Sequence, residues 1–70
     1  MTGAMAEIPT IDKTLMTVET IGGDVFSIVT YASPVGGCGI SRNGDSVPDC
    51  QWSLAEMDAC VTVFVRMAEL

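Results

Sequence analysis

The chain reads as a small α+β domain in which antiparallel β-hairpins pack against one C-terminal α-helix. Three observations predict this class. Two β-branched runs flank Gly22-Gly23-Asp24, an Asn43-Gly44 pair lies inside an otherwise loop-like stretch, and a helical apolar period follows Ser53.

Residues 1–12 mix small, polar and acidic types around Pro9 without a period, so they read as a loosely ordered arm, and the folded domain is expected over 13–70. Residues 14–21 and 25–31 are rich in Val, Ile and Thr, the residues that suit a pleated strand. A two-residue Gly22-Gly23 turn would set Val18 opposite Ser27. A three-residue turn that takes in Asp24 sets Val18 opposite Ile28 and Glu19 opposite Ser27, and this register is preferred because it gathers Met16, Val18, Phe26 and Ile28 on one face. Residues 33–52 have loop composition, but Asn43-Gly44 favours a type I′ turn. Folding there places Arg42 across from Asp45 and Ile40 across from Val47, with Cys38 and Cys50 close together at the open end.

Ser53 followed by Glu56 has capping-box spacing, Asp58 sits in the first turn and Arg66 in the last, so a helix is expected over 54–68. Leu54, Met57, Val61, Phe64, Val65 and Ala68 form its main apolar stripe. Cys60, Val63 and Met67 extend beyond that stripe, an excess that suggests a homodimer or a docking partner. Trp52 stands where a hydrophobic staple residue belongs, within reach of Met57.

The chain has 70 residues, 49% of them apolar, close to the lower limit at which one core outweighs chain entropy. Nine Asp and Glu against three Lys and Arg give a net charge of −6. Direct nucleic-acid binding is thereby excluded, since phosphates are held by clustered cations, and Lys13, Arg42 and Arg66 are far apart in sequence. A basic protein surface is the favoured partner. No targeting signal or membrane-length apolar run is present, and the cytoplasm is the expected compartment.

Catalytic chemistry is not expected. The sequence contains no histidine, which removes the usual general base, the usual zinc ligand and every Ser-His or Cys-His nucleophile. Cys38, Cys50 and Cys60 form no CxxC pair, and a zinc site would need Asp45 or Asp49 as a fourth ligand. They read as buried thiols, with a Cys38–Cys50 or Cys50–Cys60 disulfide as the alternative. Gly36-Gly37-Cys38-Gly39 lacks the GK[ST] ending of a phosphate loop, so its glycines are expected to serve turns or close backbone approach. No cofactor is implied.

In size, acidity and lack of catalytic residues the whole chain resembles the small acidic proteins that phages encode against bacterial defences, the anti-CRISPR proteins in particular. No motif carries this resemblance. It implies a non-enzymatic inhibitor whose carboxylates mimic DNA phosphates on the basic surface of a CRISPR effector, within the host cytoplasm. The carboxylates expected to be exposed for that contact are Glu19, Asp24, Asp45, Asp49, Asp58 and Glu69. Two alternatives stand beside it: a structural subunit docking through its apolar helix, and a peptide precursor cut after Gly23.

Overall fold

A computed structural model describes residues 9–69. The chain runs β1 (Ile11–Glu19), β2 (Val25–Tyr31), β3 (Cys38–Arg42), β4 (Asp45–Trp52), one 3₁₀ turn (Leu54–Glu56) and α1 (Met57–Met67). The strands form a single antiparallel sheet in the order β1-β2-β3-β4, with the helix on one face. The α+β class read from the sequence is the class observed. Of the segment read as an arm, residues 1–8 lie outside the described residues, while β1 already begins at Ile11 and the Ala32 amide donates to Thr10 O at 2.8 Å.

The first hairpin closes differently from either expected register. Val18 pairs with Phe26 and Glu19 with Val25. The loop has three residues, but they are Ile21-Gly22-Gly23: Thr20 N donates to Asp24 O at 2.8 Å, and Gly23 N donates to Thr20 O at 3.0 Å. Gly23, at φ +93°, takes the left-handed position that follows a tight turn. Asp24 therefore leaves the turn and joins the strand pair. Because the pairing slips by two residues relative to the expected register, side-chain faces are kept, and Met16, Val18, Phe26 and Ile28 still share one face.

The second hairpin forms at Asn43-Gly44, with φ of 53° and 90° as a type I′ turn requires, and Arg42 faces Asp45. The expected Ile40–Val47 pair is displaced. Below Ser41 the register jumps, so that Gly39 faces Gln51 and Cys38 faces Trp52, and β4 absorbs the extra residues in a bulge where Asp49 has φ +62°. The two hairpins merge through β2 and β3, which pair over Phe26↔Arg42 to Thr30↔Cys38. Asn43 fastens that join from both sides: its amide donates to Val25 O at 2.7 Å, and its Oδ1 accepts from Val25 N at 2.8 Å.

The core lies between sheet and helix. Phe26, Ile28, Cys38 and Ile40 meet Cys60, Phe64 and Ala68, with Trp52 and Met57 each packed at its margin. Burying a side chain the size of Phe64 contributes roughly 1.5–3 kcal/mol. The regular helix begins at Met57 rather than at 54, the first turn being 3₁₀. Its buried line is also rolled from the expected stripe toward Cys60, Val63 and Met67, leaving Leu54, Val61 and Val65 exposed. On the opposite sheet face Val29 and Tyr31 are buried, and Tyr31 lies across Gly39 to donate its hydroxyl to Ser46 Oγ at 3.3 Å.

Candidate functional site

The six carboxylates singled out by sequence do not form one cluster. Both sheet turns, Ile21-Gly22-Gly23 and Asn43-Gly44, lie at the same end of the sheet, which brings Glu19, Asp24 and Asp45 to that end. Glu69 follows the last turn of α1, whose Met67 lies beside Phe26, Arg42 and Val47, so it belongs to this end too. Asp49 sits on the bulge of edge strand β4, and Asp58 stands on the first turn of α1, toward the far end of the sheet.

Asp24 differs from the other five. Arg42 reaches both its carboxylate oxygens at 3.2 Å, and Asn43 Nδ2 donates to Oδ1 at 3.1 Å. The Asn43 hydrogen bond, followed by the Arg42 contact, holds this carboxyl below its usual range. Asp24–Arg42 is the only ion pair among the described residues. Sequence reasoning placed Arg42 opposite Asp45 and missed Asp24 as its partner, because 18 residues separate the two and only the β2–β3 pairing joins them.

Between the Asn43-Gly44 turn and the end of α1 lies a shallow depression of about 390 Å³ lined by Phe26, Arg42, Asp45, Val47, Pro48 and Met67. Its polar walls come from Arg42, which is paired with Asp24, from Asp45, and from the uncharged Asn43 and Ser46. Gly37 and Gly39 serve close approach: a methyl on Gly37 would run into the Trp52 carbonyl, and one on Gly39 would lie 2.5 Å from both Cys50 O and the Tyr31 hydroxyl. Gly22 and Gly23 close the first hairpin, so a cut after Gly23 would separate β1 from β2.

All three thiols are free; Cys38 and Cys60 are fully buried and Cys50 is half-buried. Cys60 Sγ donates to Gly39 O at 3.8 Å and Cys38 Sγ to Ser53 O at 3.8 Å. Burial first, and then the neighbouring Cys38 and Cys50, push the Cys60 thiol up to about 12. Among the described residues no group of three or more Cys, Asp or Glu is arranged to hold a metal ion, and no helix is long and apolar enough to cross a membrane. No protein-family model, curated protein or solved structure matches this chain.

Proposed function

We propose that this domain is a non-catalytic inhibitor that docks its acidic surface on a basic protein surface, one that would otherwise hold DNA. A CRISPR effector subunit is the target class implied by the resemblance to phage anti-defence proteins. The observation that supports this reading is the lack of internal neutralisation. Apart from Asp24, none of the candidate carboxylates is ion-paired among the described residues, and Glu19, Asp45, Asp49, Asp58 and Glu69 are all exposed. Exposed charges of one sign steer association with an oppositely charged groove, where cations on the partner supply what this chain lacks.

The test begins with affinity capture on the tagged domain and then reverses charge in the bound complex. Glu19, Asp45 and Asp49 changed together to Lys should abolish binding and leave the melting curve in place. Asp24 is left intact because reversing it would also break the Arg42 contact inside the fold. Single reversals should each cost only about 0.2–1 kcal/mol. The complex should weaken as salt rises, and DNA should compete with the domain for the target. A complex that survives the triple reversal, or that holds DNA and the domain together, overturns the proposal.

A further inference from the structure

The helix does not cover the whole sheet. It packs chiefly on β2, β3 and β4, and β1 lies at the margin of its footprint, with Val18 reaching the core. Met16 and Val18 pair with Ile28 and Phe26, two core residues beneath the helix, so they lie on the helix-facing side of the sheet. Val18 touches the core, whereas Met16 is 52% exposed.

The roll of α1 supplies the other wall. Cys60, Phe64 and Ala68 mark its buried line, and Met67 lies beside Val47 and Pro48 over the β3–β4 hairpin. With about 100° of rotation per residue, Val61 and Val65 fall on the opposite flank, the one toward β1. They are 41% and 36% exposed. The result is an apolar shelf floored by Met16 and Val18 and walled by Val61 and Val65.

Its margins are predominantly acidic. Asp58 lies one turn before Val61 on the helix, and Asp12 and Glu19 stand near the two ends of β1; all three are exposed, and none is ion-paired among the described residues. Lys13 is the one cation along this strand. We infer that the shelf binds a basic amphipathic segment of the partner protein, its apolar side on Met16, Val18, Val61 and Val65 and its cations on the surrounding carboxylates. This inference rests on the proposed function and names the surface by which the basic partner is held. A thioether on the floor adapts to varied apolar side chains, and an amphipathic helix laid in a groove is a common recognition mode. A second copy of the chain fits less well. It would set one acidic margin against another, and register shifts in β1 between Ile11 and Lys13 and between Thr14 and Met16 interrupt the edge that two copies would have to pair.

The probe is a fluorescein-labelled Leu/Lys amphipathic helix of about 14 residues, roughly four helical turns. A Gly/Lys peptide of equal charge serves as control, and each is titrated into the full chain. The Leu/Lys peptide should bind, and the Met16→Gln/Val65→Gln double variant should weaken it by about tenfold or more. Leu54→Gln, at an exposed apolar position outside the shelf, should leave binding unchanged. Equal binding by the double variant, or by the Gly/Lys peptide, overturns the inference. So does a dimer in sedimentation that the double variant dissociates while the wild type ignores the peptide, because the occupant is then a second copy. If the captured partner is lost on carboxylate reversal yet retained by the double variant, the acidic contact stands and the shelf falls.

Discussion

At Gly39 a lone hydrogen faces both the Tyr31 ring and the Cys50 carbonyl. A methyl group there would sit 2.5 Å from Tyr31 Oη and 2.5 Å from Cys50 O, closer than van der Waals contact allows. Neither neighbour yields easily, since Tyr31 is buried and bonded to Ser46, and the Cys50 carbonyl belongs to β4. Gly39→Ala should therefore destabilise the fold by about 1–3 kcal/mol, the usual cost of overpacking, as a lowered urea midpoint with an unchanged slope. An unaltered midpoint would mean that the ring swings aside freely. The sequence suggested only that a glycine here allows close approach; the two atoms that approach it come from strands on either side of β3.

The helix entry is the element whose local signals translate most directly into structure. Glu56 turns back so that its Oε1 accepts from Ser53 N and from Ser53 Oγ, both at 3.2 Å, and its own amide donates to Ser53 O at 2.9 Å. That carboxylate satisfies an amide at the start of the helical segment and places negative charge near the positive end of the dipole. Glu56→Ala should cost about 0.5–1 kcal/mol, and Ser53→Ala about 1 kcal/mol or less, read from thermal melts followed by circular dichroism. If both melts coincide with the wild type, the tight first turn holds the helix entry without them. The register of the first hairpin shows the opposite case. Gly22, Gly23 and Asp24 are all good turn residues, and which three closed the loop was decided by the Thr20–Asp24 pairing and by the contacts Asp24 makes with Arg42 and Asn43.

For the molecule as a whole, the thiols join sheet to helix. Cys60 of α1 reaches the Gly39 carbonyl of β3 and lies in one core with Cys38, so its ionisation is linked to the packing of both layers. Its folded value of about 12 lies above the ordinary 9.0, so the unfolded chain gives up this proton first. Stability is accordingly complete below pH 9.0 and declines as pH rises from there toward 12. Melting temperatures of the wild type should fall over that interval, and Cys60→Ala, less stable at neutral pH because it leaves a cavity, should lose less with rising pH. Parallel pH curves for the two proteins would place the alkaline transition elsewhere. In the folded state Cys60 should also resist thiol reagents that modify it on unfolding. The outer surface is organised differently: a chain of net charge −6 carries one internal ion pair among its described residues, so its carboxylates are left to solvent or to a partner.

The amino-acid order by itself determined the sequence of elements, the Asn43-Gly44 turn with Arg42 facing Asp45, the Ser53–Glu56 entry to the helix and the acidity of the surface. Each of these depends on residues a few positions apart or on composition, where backbone sterics and local hydrogen bonds act without help from the rest of the chain. Tertiary structure decided the remainder. Two hairpins became one sheet through the β2–β3 pairing, fastened at its turn end by Asn43 and Val25, and that join is what delivered Arg42 to Asp24. The helix rolled toward Cys60, Val63 and Met67 because its surplus apolar residues allowed several faces, and the one buried is the one that fits Phe26, Ile28, Cys38 and Ile40. That same choice left Val61 and Val65 exposed. No pattern within the helix alone could have revealed it, because the packing energy that selects the face belongs to residues on the strands beneath it.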